Sequence, residues 1–285
     1  VQEKTMPRVA LCADDYGYRP GVSATIRALV RAERLTATSA LVTFPDWAAA
    51  SAHVAELREK ADVGLHLNLV EGPPLGAMPI TAGMGQMPTI GALVRRALLG
   101  SIDAAEIRGE TLRQIEAFER ATGRLPDFLD GHQHAHALPG VRDAVLSALT
   151  EVDPQRLIVV RDPSDQWQRI LRRGVAVPKA LAIAALASGF ASLLRRTARA
   201  HNDGFSGVYD FGLDGDFDGA FRRFIAAPGT RHLVVCHPGM PEDAATVDPI
   251  AGARQREARY LAKDSFLETC AQAKVELVRF TTLVA

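Results

Sequence analysis

The sequence lacks net charge, because 33 Lys and Arg offset 33 Asp and Glu across 285 residues. Without a positive excess there is no long-range field to gather a phosphate backbone or an anionic membrane, so no nucleic-acid partner is expected. Cysteine is scarce. Cys12, Cys236 and Cys270 show no CxxC spacing, and their odd number leaves at least one thiol unpaired in any intramolecular disulfide scheme. A reducing, cytoplasmic location is expected. The opening VQEKTMPRVALCADD carries early charge and lacks the apolar core and cleavage site of an export signal. Long apolar runs are missing too. The longest uncharged one, 180–194, has 15 residues, short of the roughly 18–20 of a bilayer span, so no transmembrane helix is expected.

What is present suffices for a folded core: 47% of residues are hydrophobic and only 23% charged. Short apolar runs at 8–13, 37–42, 62–67, 127–131, 156–160, 231–236 and 275–279 read as strands. Helix-periodic segments at 20–35, 46–60, 103–122, 139–150, 178–200, 217–227 and 250–274 alternate with them. That alternation predicts an α/β fold, a distorted TIM-like (β/α) barrel of about seven strands, with 1–285 as one domain. Segment 70–91 holds five Gly and four Pro and reads as a lid or binding loop. Segment 178–200 has no polar face between 180 and 194, so it is expected to be buried within the chain or against a second copy, as in a homodimer. Contact with a membrane surface, served by Arg195, Arg196 and Arg199, is the alternative.

Reactive residues of a barrel sit at the carboxyl ends of its strands. Four strand ends carry them here: Cys12-Ala13-Asp14-Asp15-Tyr16-Gly17, Gly64-Leu65-His66-Leu67-Asn68, Asp130-Gly131-His132-Gln133-His134-Ala135-His136, and Cys236-His237-Pro238-Gly239. Taken singly, the aspartate pair also suits a helix-capping turn, His66 a core histidine and His237 a turn. The histidine run is different. In an extended chain His132, His134 and His136 share one face, and three imidazoles crowded there need a metal or partners. Together the clusters supply ligands for a divalent ion plus a spare carboxylate and imidazole, the set for metal-assisted hydrolysis. Neighbours on a strand point to opposite sides, so Asp14 and Asp15 divide into one base and one ligand, and the same alternation argues against a Cys236–His237 dyad.

The four motifs ADDYG, GLHLNL, DGHQHAH and CHPG, in this order over about residues 8–240, resemble the YdjC-like carbohydrate deacetylases (the ChbG/HpnK family). The resemblance implies a distorted barrel that removes acetyl groups from N-acetylated sugars with one divalent ion. It implies Asp15, His66 and His132 as metal ligands, Asp14 as general base and His237 as general acid. The family's pattern usually has Ser where this chain has Gly131. His134 and His136 are candidates for substrate or supporting contacts, and on the residues alone either could replace His132. Arg161 could orient Asp14, hold a sugar hydroxyl or pair at the surface near Asp162; Tyr16 and Trp167 could stack on a sugar or pack in the core.

The resulting expectation is a metal-dependent hydrolase of an acetamido sugar, oligosaccharide or glycoconjugate. Ligand softness favours Zn²⁺, and the resemblance also admits Mg²⁺. Two rival readings keep the barrel: hydrolysis of another bond, such as a phosphoester or other amide, and a non-catalytic sugar-binding relative.

Overall fold

Arg8–Tyr16 form strand β1, buried at every residue after Arg8. A strand apolar on both faces belongs in a parallel sheet covered on both sides. The computed structural model describes residues 6–212, 215–241 and 248–285. The first five residues, on which part of the export reading rests, lie outside these. After β1 come α1 (Pro20–Arg31), β2 (Ala37–Ala40), α2 (Trp47–Ala50), α3 (Val54–Lys60), β3 (Asp62–Leu67), α4 (Ile90–Leu98), α5 (Ala104–Thr122), β4 (Phe128–Gly131) and α6 (Val141–Val152). The chain continues through β5 (Val159–Val160), α7 (Trp167–Arg173), α8 (Val177–Leu186), α9 (Phe190–Arg196), β6 (Gly204–Ser206), α10 (Phe217–Phe224) and β7 (His232–Cys236). It ends in α11 (Ala251–Leu261), α12 (Asp264–Gln272), β8 (Glu276–Leu277) and α13 (Phe280–Val284). Local signals set several of these bounds. Asp103 caps α5 by accepting from the Glu106 N–H at 2.9 Å, and Gly123 ends it at a φ of 76°.

The strands form one parallel sheet in the order β5-β4-β3-β2-β1-β7-β6, with β8 paired to Arg8 and Val9 of β1. A lone bridge between Val160 and His201 links the β5 edge to the chain entering β6, so the sheet curls as a distorted barrel. The single α/β domain expected from the sequence is the one observed, with one exchange of strands. Gly204–Ser206 has too few residues for a readable pattern, yet pairing with His232–Val234 makes it the end of the seven-strand path. The expected strand 275–279 shrinks to the short β8.

Alternation along the strands sorts two cores. Val9, Leu11 and Ala13 of β1 face the covering helices' cluster, whereas Ala10 and Cys12 join Phe128, Leu233 and Val235 in a second cluster with Phe280, Leu283 and Val284 of α13. The Thr281 N–H bonds Asp62 Oδ2 at 2.7 Å, at the start of β3, so α13 closes the amino-terminal end of the sheet. Close packing there requires Gly64, because a Cβ would sit 2.5 Å from the Phe128 ring.

Of the two long segments singled out in the sequence, 178–200 differs from its reading. The stretch 178–200 is broken at Gly189, whose φ is 81°, into α8 and α9. By length and composition Val177–Arg196 would be long enough to cross a membrane. Broken at Gly189, its ten-residue first half spans only about 15 Å of the roughly 30 Å hydrocarbon core. Of the two burials expected, that within the chain fails for α8, none of whose ten residues is buried, and holds for α9, which inserts Phe190 and Leu194; burial of α8 against a second copy stays an expectation. Segment 70–91 is tied to α5. Glu110 accepts from the Leu75 N–H at 2.9 Å, and Glu106 accepts from the Ile80 and Thr81 N–H groups at 2.8 and 2.7 Å.

Candidate metal centre and active site

The interior parity that buries Ala10 and Cys12 continues to Asp14, as that of Phe128 continues to Asp130 and that of Leu233 and Val235 to His237. His66 lies opposite Asp130 in the β3–β4 register. Period two thus delivers Asp14, His66, Asp130 and His237 to the open carboxyl end of the sheet. Asp15 has the wrong parity. Its φ of 72°, at a register shift between Ala13 and Tyr16, turns its carboxylate back, so both aspartates line one cavity of about 450 Å³ with His66, His132 and His237. The expectation that adjacent aspartates aim apart is therefore corrected, since a left-handed residue breaks the alternation it assumed.

Asp15 Oδ1, His66 Nε2 and His132 Nδ1 form a nearly equilateral triangle with edges of 3.3, 3.4 and 3.5 Å. The carboxylate oxygen is buried and makes no hydrogen bond. An orphaned buried acceptor facing two imidazole nitrogens fits a bound cation. Each donor is oriented from behind. Arg254 of α11 holds Asp15 Oδ2 at 2.7 Å, Asp130 Oδ1 lies 2.6 Å from His66 Nδ1, and Glu71 Oε2 lies 3.2 Å from His132 Nε2. Burial disfavours the Asp15 charge, but Arg254 and the two imidazoles outweigh it and hold the carboxyl well below its usual range. Burial likewise opposes protonation of His132, yet Asp15 and Glu71 raise it to about 9. A cation between these groups would take over the role of that proton.

Asp14 faces a second, fixed cation. Arg161, fully buried, grips both carboxylate oxygens at 2.8 and 2.6 Å and also pairs with Asp130. Its guanidinium lies 3.2 Å from Cys12 Sγ, so it fills the space among Cys12, Asp14 and Asp130, a second cluster of ligand-type groups. Burial would raise Asp14, but Arg161 overrides it and keeps the carboxyl ionised far below its ordinary range. His237 Nε2 stands 3.9 Å from Asp14 Oδ2. Burial pulls His237 down to about 4 despite Asp14 and Asp15, so the imidazole rests neutral. Behind it, Glu257 accepts from the His237 backbone N–H and, at 2.5 Å, from the Tyr209 hydroxyl.

The histidine run is not extended. Gln133 and His134 adopt φ of 51° and 61° in a tight helical turn, so the three imidazoles do not share a face. His132 reaches the triangle, and His134 lines the cavity with its ring against the edge of Phe205. His136 turns into the core, where its Nε2 meets the Arg161 carbonyl at 2.9 Å. Gly131 makes this possible, because a Cβ there would lie 2.7 Å from His136 Nδ1. Full burial rules out a surface or sugar-hydroxyl role for Arg161. Tyr16 is core, its hydroxyl bonded to the Ala50 carbonyl, and Trp167 is exposed. Arg254, Glu71, Asp130 and Glu257 have no site role in the sequence reading; Asp130 lay inside a motif, whereas Arg254 and Glu257 are ordinary-looking residues of a charged helix.

Known proteins resemble the chain over about half or more of its length. Over 147 residues the chain is 36% identical to a carbohydrate deacetylase of Mus musculus, covering 50% of this chain and 47% of that protein. Over 143 residues it is 34% identical to a chitooligosaccharide deacetylase of Yersinia pestis (strain Pestoides F), covering 49% and 54%. The chain thus spans about half the length of the curated relatives it matches. A solved structure from Enterococcus faecalis V583, provisionally described as a cellobiose-phosphate cleavage protein, shares the fold with a TM-score of 0.71 at 18% identity, over 99% of this chain and 100% of that one. The family model described as YdjC-like protein matches residues 8–272, and the chain belongs to that family.

Proposed function

We propose that this site removes the acetyl group from an N-acetylated sugar by hydrolysis. The observation that carries the reading is the triangle of Asp15, His66 and His132 set beside Asp14 and His237 in one cavity. The names of the mouse and Yersinia relatives support the reaction class. Asp15, His66 and His132 would hold one divalent ion, which when bound polarises an acyl carbonyl and lowers the pKa of water.

The donor set of two imidazoles and one carboxylate supports Zn²⁺ over Mg²⁺, because nitrogen ligands suit zinc and magnesium prefers oxygen.

Asp14 takes a proton from the attacking water. Its two bonds to Arg161 cost basicity and secure orientation, so the oxygen nearest the cavity is held in one place. The proton that Asp14 takes passes to His237, neutral at rest and 3.9 Å away, and from His237 to the departing nitrogen as the C–N bond breaks, which leaves an amine and acetate and restores both residues. Tyr209 and Glu257 fix the backbone that presents His237. Acetate release by the zinc-loaded protein from a panel of N-acetylated sugars tests the reading; release from none, with phosphoesters cleaved instead, would overturn it.

A further inference from the structure

Nearly every polar side chain that lines the cavity is committed to another group of the protein. Glu71 meets His132 and the Tyr18 hydroxyl, Asp248 holds Arg254, and Lys179 Nζ donates to the Tyr209 carbonyl at 3.0 Å. The two aspartates, His66, His132 and His237 belong to the reacting set. Other side chains of the lining, such as Ala182, Ile183 and Leu186 of α8, are apolar and have no hydrogen bond to give. Two polar side chains are left. Among the described residues of the lining, only Gln133 and His134 make no hydrogen bond and no ion pair. Both are left-handed, at φ of 51° and 61°, a region that residues with a side chain rarely adopt, and their turn follows directly on His132. Gln133 is exposed. His134 has its ring edge-on to Phe205, centroids 5.3 Å apart, and its Nδ1 is buried without a partner. A neutral imidazole avoids an orphaned buried N–H by carrying its proton on the other nitrogen, Nε2, which is not buried. His134 thus offers the cavity a donor, and the Gln133 amide beside it both donates and accepts.

Resting on the deacetylase reading above, we infer that His134, with Gln133 beside it, recognises a hydroxyl of the acetamido sugar and so sets which sugars the site accepts. Nε2–H of His134 donates to the hydroxyl oxygen, and the Gln133 carbonyl oxygen is free to accept the hydroxyl proton. With the acetamide beside Asp15, His66 and His132, the hydroxyl falls to these two residues because no other uncommitted polar side chain of the lining can meet it. A sugar that lacks this hydroxyl, or carries a substituent on it, leaves the imidazole unpaired and binds less well.

The probes are the methyl glycoside of N-acetylglucosamine and its monodeoxy analogues, each lacking a different hydroxyl, with the zinc-loaded wild type, His134→Ala, His134→Phe and Gln133→Ala. His134→Phe keeps a ring against Phe205, which tells loss of the nitrogen apart from loss of packing. Ligand-observed NMR titration gives dissociation constants, and acetate release gives kcat/KM. One deoxy analogue should bind the wild type on the order of tenfold more weakly than the parent sugar. The His134 variants should weaken the parent by the same factor and leave that analogue unaffected, with the loss in kcat/KM carried by KM. Gln133→Ala, at an exposed position that leaves packing alone, should couple to the same analogue. This coupling in the dissociation constants with no acetate released would uphold the hydroxyl contact and overturn only the deacetylase reading. Acetate release with the parent and every analogue weakened equally in both His134 variants would overturn the inference, as would unchanged binding of the parent in both.

Discussion

Arg254 Nη2 and Asp15 Oδ2 are 2.7 Å apart, and the second oxygen of that carboxylate faces His66 and His132 without a hydrogen bond. The arginine, itself braced by Asp248 at 2.8 Å, therefore aims one oxygen at the candidate metal position by occupying the other. Arg254→Gln should weaken Zn²⁺ binding by roughly 10- to 100-fold, the usual effect of losing a group that orients a ligand. Competition with a chelating dye measures this. Unchanged affinity would show that the β1 backbone alone orients Asp15.

The three histidines of the run should separate in the same assay. His132→Ala and His66→Ala lose stoichiometric metal, whereas His134→Ala and His136→Ala keep it, because only His132 shares the triangle. Metal retained in His132→Ala with metal lost in His134→Ala would reverse the assignment.

Asp14→Asn keeps the shape of the side chain and leaves Arg161 paired with Asp130, so metal should remain while turnover falls on the order of 10²-fold or more. Asp15→Asn should lose both. His237→Ala should slow amide hydrolysis more than hydrolysis of an activated ester, whose leaving group needs no proton. Equal slowing on both substrates would remove His237 as the acid.

A histidine far from this chemistry should contribute to acid sensitivity. His232 is fully buried, accepts from the Gly229 N–H at Nδ1 (3.1 Å) and lies 2.9 Å from Ser206 Oγ through Nε2, an arrangement for the neutral ring. Burial, with Arg173 and Arg169 adding to it, lowers its pKa from 6.5 to about 3. The unfolded chain therefore binds the extra proton first as pH falls. Stability from this group is complete above pH 6.5 and is lost progressively towards pH 3, on the order of a few kcal/mol in all. Urea unfolding of wild type and His232→Asn across that range should show a shallower acid slope in the variant. Parallel slopes would place the acid sensitivity elsewhere.

Much of the site was legible in the chain because it depends on local rules. Four short motifs at strand ends marked Asp14, Asp15, His66, His132 and His237, and the two-residue period of a strand sends Asp14, Asp130 and His237 to the side that Cys12, Phe128 and Val235 occupy lower down. The alternation of apolar runs and helical segments likewise determined a parallel α/β barrel. Three matters were decided only by tertiary structure. The left-handed turns at Asp15, Gln133 and His134 overrode strand parity, bringing two adjacent carboxylates together and dispersing three histidines. Arg254 found its carboxylate 239 residues away, a pairing that no local pattern records, and burial chose Asp14 among the partners the sequence left open for Arg161. The apolar segment after Lys179 carried the mark of a buried helix, but periodicity reports only how apolar a face is. Whether that face meets the core, a neighbour or the open wall of a cavity depends on where the barrel places it.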